Sequence, residues 1–287
     1  MRWLQVNKVL VPFICVFAVV CVFESTLPAQ NRARAGQPSQ NAACPSDDSG
    51  LRLPAGFCAT VFADNIGHAR HLVVAPSGVV YVNTWSGAYY NNGATHPGGF
   101  LVALEDKTGS GKADVIERFG PTAQTGGTGG TGIGMYQGEI YAESGDRIVR
   151  YSLPAGALVP SGPPETIVSG LPLGGDHPMH PFVIDAQGLM YVDVATATNA
   201  CQPRNRQPKV PGADPCTELK TRGGVWVYDA NKTNQTFSPG QRFATGIRNA
   251  EGLTIDAAGR VFATQHGRDQ LRSNWPDLYK PTEEATQ

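Results

Sequence analysis

The chain of 287 residues has 23 lysines and arginines against 24 aspartates and glutamates, so its formal net charge is −1. No basic run stands out, and nothing points to a nucleic-acid-binding protein. With 34 glycines, 22 prolines and 16% charged residues, the composition is typical of a turn-rich protein built from short strands. No segment after residue 30 keeps a helical period, so an all-β fold is predicted.

The first 30 residues have the organisation of a secretory signal peptide. Arg2 and Lys8 precede an apolar run from Val9 to Phe23, and small residues follow around Ala29. A retained membrane anchor is the less favoured alternative, since about 20 apolar residues are needed to span a bilayer. The protein is therefore predicted to be periplasmic or secreted, with no stable membrane span after signal removal.

A polar linker is predicted for residues 31–50, and the globular domain for residues 51–287. Two of the six cysteines lie in the signal segment, which leaves four. An even number in an exported chain indicates two disulfides. A zinc site is the rival interpretation, disfavoured because no CxxC spacing occurs. Sequence proximity suggests the pairs Cys44–Cys58 and Cys201–Cys216.

A ten-residue pattern recurs along the domain as VVAPSGVVYV (73–82), IGMYQGEIYA (133–142), VIDAQGLMYV (183–192) and TIDAAGRVFA (254–263). In each copy, an apolar strand enters a turn with a glycine, and a second strand with an aromatic residue leaves it. Each copy therefore predicts a β-hairpin, because glycine supplies the positive φ of a tight turn. The turn glycines are Gly78, Gly138, Gly188 and Gly259.

Spacings of 50 to 71 residues between these glycines leave room for about four strands per unit, which is typical of propeller blades. Segments 147–153 and 223–231 supply outer strands, so about four blades are accounted for. A closed ring of such blades normally has six or more, and no fifth hairpin precedes Gln287. We therefore expect an incomplete β-propeller, which is either a fragment or truncated product lacking later blades or an open ring with exposed sheet edges.

Three polar segments flank the inner hairpins, at 175–177, 246–253 and 264–270. In a propeller they converge on one end of the central channel. A histidine beside a carboxylate, such as His177 after Asp176, can act as a general base. Taken alone, a histidine in a surface turn is the commoner explanation.

The other polar side chains are less specific. The guanidinium of Arg248 and the amide of Asn249 suit a polarised carbonyl or carboxylate, but also satisfy loop backbones. The HGRD segment (266–269) offers main-chain carbonyls of the kind that calcium accepts. The segment 106–119 has acidic residues at suggestive spacing but lacks the twelfth-position glutamate of an EF-hand, so it is predicted to be a polar hairpin.

Taken together and in this order, the segments resemble the soluble pyrroloquinoline quinone (PQQ)-dependent glucose/sorbosone dehydrogenase family over most of residues 51–275. The resemblance is carried by GDHPMHPFVIDAQGLMYV, by GIRNAEGLTIDAAGRVFATQHGRD and, more loosely, by GFCATVFADNIGHARHLVVAPSGVVYV. It implies a six-bladed propeller with PQQ over the channel, calcium beside it, and oxidation of an aldose or sorbosone-type sugar by hydride transfer to the quinone.

Matched by position, His177 corresponds to the family's catalytic base, and Asp176 to its neighbour at the substrate. Arg248 and Asn249 correspond to the pair at the cofactor, where the arginine stabilises the developing oxyanion. His180 matches no family role and is expected to be a structural or rim residue. The backbone carbonyls that would hold calcium are those of Gly267 and Arg268, the latter standing where glucose dehydrogenases have proline.

The resemblance also implies a small cytochrome c or a quinone as electron acceptor. Two other functions stay open on the sequence. A calcium-dependent lactonase-like hydrolase would use carboxylates as direct metal ligands, for which Asp176 and Glu251 are the candidates. A truncated, non-catalytic binding propeller is the third.

Overall fold

The structure is a computed structural model, and it describes residues 49–84, 97–122 and 130–286. The predicted signal peptide and Cys44 lie outside these ranges, so the signal peptide and the pair Cys44–Cys58 stay predictions. No helix within the described ranges has the length and hydrophobicity that a bilayer crossing requires.

Short β-strands make up nearly all the regular structure, as the composition predicts. Within the described ranges they are accompanied by one single-turn helix, α1 (Leu271–Asn274), and by three 3₁₀ turns at Thr217–Lys220, Pro239–Gln241 and Pro281–Thr286. The strands are β1 (Ala69–Val74), β2 (Val80–Thr84), β3 (Leu101–Glu105), β4 (Val115–Phe119), β5 (Ile133–Tyr136), β6 (Glu139–Ser144), β7 (Arg147–Tyr151), β8 (Glu165–Ser169), β9 (Phe182–Ile184), β10 (Leu189–Val194), β11 (Gly224–Asp229), β12 (Gln235–Thr236), β13 (Arg242–Thr245), β14 (Gly252–Ile255) and β15 (Val261–Thr264).

The strands of the described residues form four sheets in chain order. The first sheet is the antiparallel meander β1-β2-β3-β4, and the third has the order β9-β10-β11-β13. The second sheet is the meander β5-β6-β7-β8, to which β12 adds in parallel beside β8. The fourth sheet consists of β14 and β15. Because β12 lies between β11 and β13 in the chain, it ties the outer edge of the second sheet to the third.

All four predicted hairpins are present, as β1–β2, β5–β6, β9–β10 and β14–β15. Their turn glycines all have positive φ, which explains why glycine recurs there. The values are +92° at Gly78, +80° at Gly138, +88° at Gly188 and +77° at Gly259.

The predicted polar hairpin at 106–119 is also confirmed, as the connection from β3 to β4. Asp106 accepts hydrogen bonds from the backbone of Ser110 (3.0 Å) and Gly111 (2.7 Å), and Asp114 accepts them from Lys107 and Thr108. Both carboxylates therefore serve the turn itself.

Apolar side chains fill the spaces between successive sheets. Phe119 packs edge-on against Tyr151 between the first and second sheets, with ring centroids 5.4 Å apart. Trp226 and Met190 are fully buried between the second and third sheets. The first strand of each sheet, β1, β5, β9 or β14, borders one central cavity of ≈ 340 Å³. This arrangement of sheets around an axis is propeller-like.

A polar residue recurs at one position of the second strand of the hairpins, two residues after the aromatic. It is Asn83 on β2, Glu143 on β6 and Asp193 on β10, and all three are buried. Each bonds to the segment that leads into the next inner strand. Asn83 Nδ2 donates to Gly132 O, His180 N donates to Glu143 Oε1, and Ala250 N donates to Asp193 Oδ2, each at 3.0 Å.

Candidate functional site

The turn before β9 carries His177 at one end of the central channel. Gly175 in this turn has φ +90°, and Asp176 N donates to Ala197 O at 2.8 Å. His177 is only 6% exposed, so the alternative of a histidine in a surface turn is wrong. Its Nδ1 lies 2.7 Å from Thr196 O. Because a carbonyl only accepts, Nδ1 carries the proton and Nε2 keeps its lone pair.

Burial is the main influence on the protonation of His177. It lowers the pKa of the imidazole, the hydrogen bond to Thr196 raises it in part, and the positive charge of Arg248 lowers it further. The ring is therefore neutral at neutral pH, with one basic nitrogen. This is the state that a general base requires.

His180, three residues further on, is fully buried and has structural contacts, so it is not a rim residue. Its Nδ1 lies 3.0 Å from Glu143 Oε1, and its Nε2 lies 3.1 Å from Pro172 O. The two histidines of the turn thus differ in surroundings: His177 has one protein acceptor among the contacts described, and His180 has two.

Arg248 lies before β14 and is buried, with 8% exposed. Its Nε donates to Asn199 O at 3.0 Å, and its Nη2 donates to Asn199 Oδ1 at 2.9 Å and to Asp269 Oδ2 at 3.0 Å. Burial lowers the pKa of this guanidinium and the charge of Asp269 raises it in part. Arginine stays protonated in proteins, so Arg248 is a positive charge held in one orientation.

Asn249 is buried beside Arg248. Its Nδ2 donates to Glu251 Oε1 at 3.3 Å, and Glu251 in turn lies 3.6 Å from Arg70 Nη2 on β1. Its Oδ1 is buried, and no donor among the described residues lies within hydrogen-bond distance of it. An unpartnered buried acceptor is costly, and such groups recur at binding sites.

Two cavities bring the predicted site residues together in two groups. The first, of ≈ 250 Å³, includes His177 and Asn249 in its lining. The second, of ≈ 330 Å³, is bordered by Arg248, Gly267 and Arg268. The adjacent residues Arg248 and Asn249 link the two. The first cavity is lined by Arg70, His177, Met179, Asn249, Glu251, His266 and Asp269.

No known protein-family profile matches the chain, and no curated protein matches it. Solved structures do match. The PQQ domain of pyranose dehydrogenase from Coprinopsis cinerea aligns with 72% of this chain and 46% of its own length, at 16% identity and a TM-score of 0.55.

A calcium structure of a Trichoderma reesei carbohydrate-active enzyme of family AA12 aligns with 77% of this chain and 53% of its own length, at 16% identity and a TM-score of 0.54. An iodide structure of the same family gives the same identity and score.

The chain shares its fold with this PQQ domain. The resemblance predicted from the motifs is thus confirmed at the level of the fold, which is what a likeness at 16% identity shows. The chain spans about half the length of the solved structures it matches, 46% and 53%.

Within this PQQ-domain fold, an arginine that the motifs did not identify holds Asp176. Arg206 Nε and Nη2 lie 3.0 and 2.8 Å from Asp176 Oδ2, and Nη2 also lies 2.7 Å from Asp269 Oδ2. Asn205 Nδ2 donates to Asp176 Oδ1 at 2.9 Å. Both oxygens of Asp176 are therefore bonded within the chain. Asp269 lay in the HGRD segment and could have been identified there, whereas Arg206 stands outside every repeat.

Arg206 is carried by a loop that the disulfide Cys201–Cys216 closes, with Cα atoms 5.9 Å apart. This predicted pair is confirmed, and the zinc alternative is wrong for these two cysteines because their sulfurs are bonded to each other. Just beyond the disulfide, Glu218 accepts hydrogen bonds from Thr198 N (3.0 Å) and Thr198 Oγ1 (2.7 Å). Both ends of the loop are thus fixed beside Arg248.

The double replacement Cys201→Ser/Cys216→Ser is expected to lower the free energy of unfolding by about 3 kcal/mol, because it frees a loop of about 15 residues in the unfolded chain. Urea denaturation measures this loss. Thr217→Ala, on the exposed neighbour of Cys216, is the control and should change stability little. Equal stability of the double variant and the control would contradict the role given to the disulfide.

Proposed function

We propose that the chain is an exported quinoprotein oxidoreductase that oxidises an aldose or sorbosone-type sugar with PQQ and calcium. The observation that carries the proposal is the buried, neutral His177, whose Nδ1 is bonded to Thr196 and whose ring lines a cavity at the channel end. The fold likeness to a PQQ domain and to an AA12 enzyme supports the cofactor and the sugar class. We also propose that the sheets described above belong to a propeller of the six-bladed type.

The side chains around Arg248 fit such a cofactor. The buried Asn249 Oδ1 lacks a donor among the described residues, and Arg248 holds a fixed positive charge next to it. Gly267 and Arg268 are exposed and border the cavity that Arg248 lines, which supports them as the source of the carbonyl oxygens that calcium would take as ligands. When bound, PQQ supplies the acceptor for the two electrons of the alcohol.

In this proposal, the chain's own residues handle the proton and the charge. His177 Nε2 takes the proton of the substrate hydroxyl, because Nδ1 is committed to Thr196 O. Arg248 opposes the negative charge that develops nearby, and it needs no reorganisation because Asn199 and Asp269 already fix it. Asp176 is held by Arg206, so it orients the turn beside His177 unless substrate displaces that arginine.

The purified protein reconstituted with PQQ and calcium is expected to reduce a dye in the presence of aldoses, and His177→Ala is expected to lower kcat about 100-fold or more. Because burial lowers the pKa of His177, activity should persist below pH 6.5, where an ordinary histidine becomes protonated. His68→Ala, before β1, is the matched control and should behave as the unaltered protein. Sugar-dependent activity unaffected by His177→Ala would refute the assignment.

Assays of lactone hydrolysis and of sugar binding on the same protein separate the alternatives. Calcium-dependent lactone hydrolysis without dye reduction would identify the lactonase-like function. Its candidate ligands are engaged, since Asp176 pairs with Arg206 and Glu251 lies near Arg70. Sugar binding without turnover would identify a non-catalytic propeller.

A further inference from the structure

The buried pair Glu143 and His180 connects the second sheet to the turn that carries His177. Both side chains are 0% exposed. Glu143 belongs to β6, and its Oε2 accepts hydrogen bonds from Thr131 N (2.8 Å) and Gly132 N (3.0 Å). Its Oε1 accepts from the backbone N of His180 and faces His180 Nδ1, both at 3.0 Å. One carboxylate therefore joins the entry to β5 with the entry to β9.

The imidazole of His180 faces an acceptor on each side. Pro172 O lies 3.1 Å from Nε2, and a carbonyl oxygen cannot donate, so Nε2 carries a proton. Glu143 Oε1 lies 3.0 Å from Nδ1. Glu143 accepts backbone hydrogen bonds from Thr131, Gly132 and His180, and three such donors favour the ionised carboxylate over the carboxylic acid, so this group also accepts. A carboxylate facing an unprotonated nitrogen would be repulsive, so Nδ1 carries a proton as well.

The turn between these contacts is short and held at several points. Gly174 O and His177 O accept hydrogen bonds from the guanidinium of Arg222, the latter at 3.1 Å, and His180 is held by Glu143. His177 therefore lies between two anchors of its own turn. His71 on β1 and Asp193 on β10 are further titratable groups that interact with the charge of Glu143.

We propose that His180 is held as an imidazolium whose buried ion pair with Glu143 positions the turn that carries His177. Glu143 and His180 are then positioning residues and not catalytic ones, because the contact runs through the main chain. A buried ion pair with one partner removed leaves an uncompensated charge, which is strongly unfavourable. Loss of the carboxylate should therefore remove the positive charge of His180, and the turn should no longer be held in one position. The consequence for turnover rests on the proposed function, whereas the charge state and the position of His177 do not.

The charge state is tested first, on the protein as it folds without added cofactor. ¹⁵N-labelled histidine is observed by NMR at pH 8, and His180 is assigned from its absence in His180→Gln. Protonation of both ring nitrogens at this pH is the expected result. One unprotonated ring nitrogen in the unaltered protein would overturn the proposal, and this measurement does not depend on whether a variant folds.

The positioning role is tested with Glu143→Gln, which keeps an acceptor oxygen and removes the charge. Expected are a neutral His180, shifted ring resonances of His177, and, in the reconstituted enzyme, kcat lowered about 10-fold or more with KM nearly unchanged. Glu139→Gln is the matched control, since Glu139 is on the same strand β6 but pairs with Arg150 at the surface. Unchanged His177 resonances in a folded Glu143→Gln would overturn the positioning role.

If neither the unaltered protein nor any variant gains activity on reconstitution while the NMR results hold, the proposed function is refuted and this inference stands. If Glu143→Gln does not fold, His180→Gln provides the same His177 readout from the other side of the pair. His177 resonances that match the unaltered protein there would equally overturn the positioning role.

Discussion

Replacing Gly175 with alanine is expected to move the His177 turn and to lower the free energy of unfolding. A Cβ at this position would lie 2.5 Å from both Ala197 Cα and Ala197 O, distances that real Cβ atoms essentially never show. These obstacles are backbone atoms, so no side-chain rotation relieves them. The glycine also has φ +90°, which L side chains rarely adopt. The strain and the overpacking together should cost about 2 to 4 kcal/mol.

In the proposed enzyme, the same replacement should lower turnover as well as stability. Ala197 O accepts the hydrogen bond of Asp176 N at 2.8 Å, and a turn pushed away from Ala197 loses this bond next to His177. Displacement of a base by about 1 Å lowers turnover about 100-fold. Urea denaturation and the dye-reduction assay measure the two effects.

Gly174→Ala is the matched control, since a Cβ there meets nothing within 4 Å and the residue is exposed. It retains the carbonyl that accepts from Arg222. Gly174→Ala should therefore resemble the unaltered protein. Equal stability and activity of the two alanine variants would show that the approach to Ala197 does not fix the turn.

The repeated hairpins were predictable because each depends on local chemistry. A glycine with positive φ and an alternating apolar strand are visible within ten residues, and Cys201 and Cys216 are near each other in the chain. His177 was a candidate because it follows Asp176 at the entry to such a hairpin and matches the family's base by position, and its catalytic role stays a prediction.

The contacts between sheets were not predictable from local chemistry. Arg206 meets Asp176 across 30 residues, from a loop with no repeat pattern. The parallel pairing of β12 with β8 joins segments that are far apart in the chain. The polar position after the aromatic did leave a signal, since Glu143 and Asp193 are acidic residues that directly follow an apolar run of three or four residues. That signal becomes interpretable only when the next sheet supplies the donors.

Those donors differ between Glu143 and Asp193. In the second sheet, Glu143 N donates to Gly132 O and its carboxylate accepts from Gly132 N. In the third sheet, Asp193 N donates in the same way to Pro181 O, but proline has no N–H to return. The backbone N–H of His180 cannot replace it, because it already donates a hydrogen bond to Glu143. Asp193 therefore receives the single bond from Ala250 N, and its Oδ1 has no hydrogen-bond partner among the described residues.

The contribution of Asp193 to stability is consequently expected to fall as the pH rises from about 4 to about 8. Burial, only partly offset by the bond from Ala250, raises the pKa of Asp193 from 3.8 to about 8. Between these values the folded protein holds a proton that the unfolded chain has released. The slope is therefore negative, at most about 1.4 kcal/mol per pH unit from this group. The stabilisation is complete below the unfolded pKa and is lost as the pH passes through the folded one.

Asp193→Asn should remove this fall, because the amide is neutral throughout and keeps an oxygen for Ala250 N. Relative to the unaltered protein, the variant should gain several kcal/mol between pH 5 and pH 8, a size set by the pKa difference. Asp185→Asn, in the turn of the same hairpin, is the control and should retain the fall. Free energies of unfolding from urea titrations at four pH values between 5 and 8 measure the slopes. Parallel slopes of the free energy of unfolding against pH for Asp193→Asn and the unaltered protein would contradict this prediction. They would mean that Asp193 is already ionised in the folded protein and that its unpartnered oxygen has a compensating partner.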